Sequence, residues 1–167
     1  TITVTDDASN VSNILSVNEF KIIDATPPAI SEKTAVPTLT NNATPQYTFE
    51  SNEAGTIDVS NATISSTVNA ISGDNVITFN TLSDGSYNNI SITVTDACGN
   101  VSNTLNVTPF TIDTIAPTIS EVTSVTTPTT DTTPQYTFES NEAGTIDISN
   151  ASSSTTQAIS GNNVIVF

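Results

Sequence analysis

The groups in this chain that could do chemistry are carboxylates. Seventeen acidic residues face two lysines, histidine is absent, Cys98 is the single cysteine, and the net charge is −15. With no His and one Cys there is no Ser–His–Asp triad, no thiol–imidazole pair and no zinc site, so no enzyme is expected. Nucleic acid binding requires clustered Lys and Arg that release counterions, and an anionic membrane surface has the same requirement, so neither partner fits. What carboxylates can do is hold a hard divalent cation. Ca2+ accepts roughly six to eight oxygens from carboxylates, carbonyls and waters, and tolerates irregular geometry. The candidate metal ligands are Asp24, Glu53, Asp96, Asp113 and Glu142. No stretch has the spacing of an EF-hand or a glycine-rich calcium loop. A site must therefore be assembled from distant segments, and the elements that carry those segments decide whether it forms.

Those elements repeat. The string TPQYTFESNEAGTID occurs at Thr44–Asp58 and again, unchanged, at Thr133–Asp147, an offset of 89 residues. ITVTD at Ile2–Asp6 recurs at Ile92–Asp96, each followed by VSN, and Phe20 aligns with Phe110, Asp24 with Asp113, and AISE at Ala29–Glu32 with TISE at Thr118–Glu121. The alignment divides the chain into the last part of one repeat (1–24), a complete repeat (25–113) and the first part of another (114–167). Such an array works through reach, stiffness and copy number. Two arrangements fit the broken ends: a longer covalent array, or half-domains that complement each other between chains by strand donation.

Within 25–113 the apolar residues alternate in short runs separated by turn residues. Ala29–Glu32 reads as a first strand A, and Gln46–Glu50 as strand B with Tyr47 and Phe49 on one face. Ile57 and Val59 mark strand C, Thr63–Ile71 a weak strand D, and Ile77 and Phe79 strand E after a turn at Gly73–Asn75. Ile90, Ile92 and Val94 mark strand F, and Val101, Leu105, Val107 and Phe110 strand G. About seven strands without a helical period predict an all-β fold, an antiparallel sandwich. Disorder, the rival reading of a polar acidic chain, is disfavoured because the apolar residues are periodic rather than scattered.

The sequence DGSY at 84–87 supplies an Asp-Gly turn and then a tyrosine placed for a tyrosine corner, its ring inward and its hydroxyl on backbone. With TVTDACGN at 93–100 and DTIAP at 113–117, the chain resembles the bacterial immunoglobulin-like tandem repeats of large extracellular surface adhesins. The resemblance implies tandem immunoglobulin-like β-sandwich domains. It also implies calcium at domain junctions, where it stiffens such arrays. In an immunoglobulin-type unit the B–C and F–G loops lie at the end where the chain comes in. That arrangement predicts Asp24 of the linker, Glu50 and Glu53 of the B–C loop, and Asp96 of the F–G loop at one junction. Asp113 with Glu139 and Glu142 would form the next, and Asp84 of the E–F loop could reach it. Glu50 and Glu139 follow the strand alternation outward and are the weaker ligands, while Asp58 and Asp147 read as surface charge. The plain alternative for all of these acids is a solvated face that keeps a secreted fibre soluble.

Remaining signals are weak. The seven Asn-x-Ser/Thr sequons match what this composition produces by chance, so they argue nothing for sugars. Lys21 aligns with Thr111 and Lys33 with Val122, so a repeated Lys–Asn isopeptide staple is not expected. Cys98 aligns with Ala8 and reads as a thiol without function. The expected role is a structural stalk or fibre segment, extracellular and at the cell surface, with no membrane insertion in this segment. Its expected partners are neighbouring repeats of the same protein, or other copies in a filament. The alternatives are a self-assembling filament subunit and a carbohydrate-binding accessory module; the latter would need exposed aromatics, whereas all three tyrosines are placed in the core.

Overall fold

A computed structural model describes residues 1–19, 21–153 and 155–167. Phe20, aligned above with Phe110, lies outside them. The chain forms two compact units, 1–113 and 114–167. Every described element is a β-strand, and among the described residues no helix is long and apolar enough to cross a membrane.

In the first unit the strands are β1 (Ile30–Thr34), β2 (Leu39–Thr40), β3 (Gln46–Ser51), β4 (Gly55–Ser60), β5 (Asn69–Ala70), β6 (Gly73–Thr78), β7 (Gly85–Tyr87), β8 (Ser91–Thr95), β9 (Leu105–Asn106) and β10 (Phe110–Ile112). They form sheets of order β1-β3-β6, β5-β4-β8-β9 and β2-β10-β7; within the last, β10 runs parallel to β2 and antiparallel to β7. The alternation read from the sequence sets the inner faces: Tyr47 and Phe49 from β3, Ile57 from β4, Ile77 from β6, Ile92 and Val94 from β8, and Phe110 and Ile112 from β10 share one core. Burying a side chain of this kind contributes about 1.5–3 kcal/mol. A single net hydrogen bond is worth about 1 kcal/mol. Packing therefore supplies the bulk of the stability, and the polar contacts select one arrangement.

The Tyr87 hydroxyl donates to the Ser83 carbonyl at 2.8 Å, and the Tyr87 ring stacks on Phe110 at 5.3 Å, so the tyrosine corner is present. Asn75 is buried; its amide donates to the Ile71 and Gly73 carbonyls and its carbonyl accepts from Ile71 N–H, and Asn163 makes the same three bonds to Ile159 and Gly161. Glu32, singled out above only as part of a repeat, accepts from the Tyr47 hydroxyl (2.9 Å) and the Thr108 hydroxyl (2.8 Å), pinning β1 to the segment that leads into β10. Burial pushes the Glu32 carboxyl up, but the bonds from Thr108 and Tyr47 outweigh it and hold the group below the ordinary carboxylate value.

The structure corrects the sequence reading in four places. Gly73–Asn75 are not a turn but the start of β6, paired with Ser51, Glu50 and Phe49. Glu50 accordingly lies in β3 rather than in the B–C loop. Strand D is divided: Ile64 bridges Phe79, while Asn69–Ala70 pair with β4. Tyr87 belongs to its own short strand against β10, and strand F begins at Ser91.

The second unit contains β11 (Ile119–Thr123), β12 (Gln135–Ser140), β13 (Gly144–Thr145), β14 (Gln157–Ala158) and β15 (Gly161–Val166). The order β11-β12-β15 repeats β1-β3-β6, including the register shift after Glu121 that matches the one after Glu32. The interior differs. Ile119 is 73% exposed where its counterpart Ile30 is 5% exposed, and Tyr136 and Phe138 are half-buried rather than in a closed core.

Gly55 marks how closely β4 packs on β8: a Cβ there would sit 2.5 Å from the Thr95 carbonyl oxygen, whereas one on the equivalent Gly144 meets nothing within 4 Å. Gly55→Ala should therefore destabilise the first unit by about 1–3 kcal/mol in denaturant unfolding. Gly144→Ala should change stability by less than about 0.5 kcal/mol. Equal effects of the two substitutions would contradict this packing.

Candidate metal centre

Three segments of the first unit meet at one end. The linker brings Asp24, whose Oδ1 accepts from Thr26 N–H at 2.9 Å just before the Pro27-Pro28 pair. The β3–β4 turn brings Glu53. That turn is held by Ser51, whose hydroxyl donates to the Glu53 carbonyl at 2.6 Å, and by Asn52, whose side-chain carbonyl accepts from Ala29 N–H at 2.6 Å. The loop after β8 brings Asp96. Gly99 in this loop takes φ of 91°, a left-handed conformation that glycine adopts without strain.

One ligand oxygen from each of Asp24, Glu53 and Asp96 lies within 4.8 Å of the other two, with Asp24 exposed and the others half-buried. Asp96 Oδ1 accepts from Cys98 N–H and Asn100 N–H, both at 2.8 Å, and Oδ2 accepts from the Asn100 amide at 2.8 Å. One lone pair of Oδ2 remains. Among the described residues no donor reaches Asp24 Oδ2 or Glu53 Oε2, so these oxygens too can face a cation. The Asn100 amide holds the Asp96 carboxyl below its ordinary value; backbone N–H groups of Asn100, Cys98 and Gly99 act in the same sense, and partial burial opposes them. Asp96 is thus ionised at neutral pH, as a ligand must be. Three anions at this spacing repel, and a hard cation with oxygen preference would remove the conflict.

The residues expected at this junction separate. Asp24, Glu53 and Asp96 are brought together. Glu50 is not: it points out of β3 across from Asp74, and Lys33 forms an ion pair with Asp74. Hydrogen bonding to Asp74 raises the Lys33 pKa, burial opposes it, and the charges of Asp74 and Glu50 add to the rise. Asp113 closes the first unit and Glu142 belongs to the second, so each is placed only within its own unit. The Glu142 turn reproduces the Glu53 turn: Ser140 donates to the Glu142 carbonyl at 2.6 Å, and Asn141 accepts from Thr118 N–H at 2.7 Å. Asp58 and Asp147 are exposed, in keeping with surface charge, and Cys98 is an exposed free thiol in the Asp96 loop.

Sequence reasoning missed Asn100. Its amide joins the Asp96 carboxylate to the Asp24 backbone carbonyl (3.1 Å), tying linker to loop. The signal was present: Asn10 follows Asp6 at the same spacing, and it makes the same backbone and side-chain bonds to Asp6, at 2.8 and 3.0 Å.

A family model for the bacterial Ig-like domain matches residues 16–114, and the chain belongs to that family. Comparison with curated proteins and with solved structures gave no match. Domains of this family are generally structural modules rather than enzymes, and they often stand on extracellular or surface proteins.

Because the Asp96 carboxyl titrates below its ordinary value, the stability it contributes is complete above that ordinary value. It is lost as pH falls through the lowered one. In an NMR titration without calcium, Asp96 should show a midpoint below 3.8, and Asn100→Ala should move it upward. An unchanged midpoint would show that Asn100 does not set the state of this carboxylate.

Proposed function

We propose that the chain is a structural segment of an extracellular surface stalk, with Ig-like units in series and calcium bound where a linker meets the next unit. The observation that carries this reading is the convergence of Asp24, Glu53 and Asp96 from linker, turn and loop to within 4.8 Å. Bacterial Ig-like family membership supports the structural role.

In this reading Asp24, Glu53 and Asp96 supply carboxylate oxygens, and the ion supplies the charge that holds them together. A cation shared by the linker and two loops removes a hinge, because rotation about the linker would break its coordination. In sequence, Asp113 aligns with Asp24 and Glu142 with Glu53. Pro27 and Pro28 before β1, and Pro117 before β11, restrict the linker backbone further. The load is mechanical. Net negative charge keeps such a fibre soluble, and calcium sets its stiffness.

Calcium that binds only the folded unit stabilises it by about 2.7 kcal/mol at a roughly hundredfold excess over Kd. That corresponds to a rise in melting temperature on the order of 10 °C for a unit of this size. Melting with calcium and with excess chelator should therefore differ. Asp24→Asn with Glu53→Gln should abolish the difference without lowering the calcium-free midpoint, since these substitutions relieve repulsion and leave the hydrogen bonds to Asp96 in place. Superimposable curves for the unsubstituted protein in the two conditions would reject the proposal.

A further inference from the structure

The first and last segments of the complete repeat lie side by side and run in the same direction. Ile30 meets Asn103, Glu32 meets Thr108, Leu39 meets Thr111 and Thr40 meets Ile112, so both partners advance together along the chain. β2 and β10 make this contact through backbone. Thr111 N–H donates to the Thr38 carbonyl at 2.9 Å, and Asp113 N–H donates to the Thr40 carbonyl at 3.0 Å. Between β1 and β2 the chain passes from one sheet to another, and Val36 is buried at the crossing.

Among the described residues β1 pairs through backbone with β3, and side chains join it to the last segment. Asn103 supplies two bonds: its carbonyl accepts from Ile30 N–H and its amide donates to the Ile30 carbonyl, both at 2.9 Å. The side chain thus imitates one rung of a sheet. Glu32 acts as a bracket, accepting from the Thr108 hydroxyl at 2.8 Å and from Thr108 N–H at 3.2 Å. Tyr47, buried in β3, fixes the same carboxylate at 2.9 Å, so the bracket is anchored in the core. In the second unit Tyr136 makes that bond to Glu121. Ile30, Val107, Phe110 and Ile112 are buried, so packed side chains back the joint along its length.

We propose that this parallel joint is a clamp against tension, in which Asn103, Glu32 and Thr108 carry load together with the β2–β10 bonds. Tension arriving through residues 24–29 pulls the first segment back toward its start. Tension through residues 113–117 pulls the last segment toward its end. Because the segments run in the same direction, these pulls oppose each other along the strands and load every bond of the joint at once. An antiparallel pair pulled from the same two linkers would instead unzip bond by bond. Forced opening is governed by the unfolding rate rather than by equilibrium stability. A few bonds that must break together therefore hold the unit closed out of proportion to their share of the folding energy. The inference rests on the stalk reading for the direction of the load alone, and it needs no calcium.

The test holds the 167-residue chain at constant force by tags on its two ends, in excess chelator. Residues 30–113 should open in a single step on the order of 250 Å. Asn103→Ala with Thr108→Val removes bonds of the joint and should shorten the lifetime under load about tenfold or more. Gly55→Ala strains the β4–β8 contact, away from the joint, and should shorten it less than about twofold despite its cost in denaturant. Should the double variant fail to fold, Thr108→Val alone, which removes one hydroxyl, should shorten the lifetime about threefold or more. Opening of the unsubstituted unit in several small steps, an unchanged lifetime in the joint variants, or an equal loss from Gly55→Ala would each overturn the clamp. None of these results bears on calcium binding, which the melting comparison decides separately.

Discussion

The pairing of β4 with β8 is the constraint on which the rest of the structure depends. It runs in the middle of the four-stranded sheet from Thr56–Thr95 to Ser60–Ser91, and Gly55 lets the two backbones close at its end. The pairing buries Ile57, Ile92 and Val94 and so closes the core over Tyr47 and Phe49. It also brings the turn before β4 and the loop after β8 to the same end of the sheet. Glu53 and Asp96 are neighbours for that reason, although 43 positions separate them in the chain. In the second unit β3 and β6 have close copies, yet the strand equivalent to β4 is short and Ile119 is exposed. Identical residues in TPQYTFESNEAGTID thus take different burial according to whether a β8 lies beside them.

Much of this is legible in the sequence. Tyr47 and Phe49 alternate with polar neighbours, and a half-buried strand has to show that period of two. The Asp-Gly-Ser-Tyr run announced the tyrosine corner, because a turn and a ring at fixed spacing form a local motif. Asp24, Glu53 and Asp96 could be placed together once loop order in a sandwich was granted. The failures concern contacts that leave no local trace. Glu32 bonds to Tyr47 and to Thr108 across 76 residues, and an acidic residue on an exposed strand looks like any other surface charge. Asn75 was read as a turn residue, although its side chain is buried and forms three hydrogen bonds to the preceding turn. The β2-β10-β7 sheet consists of strands of two or three residues, too short for periodicity to reveal.

The distribution of charge explains why one acidic group can be a site and another is not. Glu50 and Asp74 share Lys33, one of the two cations in the chain, so their repulsion is already relieved. In the second repeat Val122 stands in the place of Lys33 and Asn162 in the place of Asp74, so cation and anion are lost together. Among the described residues no lysine is paired with Asp24, Glu53 or Asp96; Asp96 instead leans on N–H donors from its own loop. Hydrogen bonds of that kind orient a carboxylate and keep it ionised without neutralising it. The unit thus presents oriented negative charge at the end where the linker arrives, the arrangement by which an ion would join one domain to the next.

The measurement that bears most directly on this account is a calcium titration of the protein followed by amide NMR. The account predicts shifts concentrated at residues 24–26, 52–54 and 96–100, all fitting one dissociation constant, with magnesium producing weaker changes. Shifts spread evenly over exposed acids such as Glu50, Asp58 and Asp84, or no saturable shift at all, would contradict it.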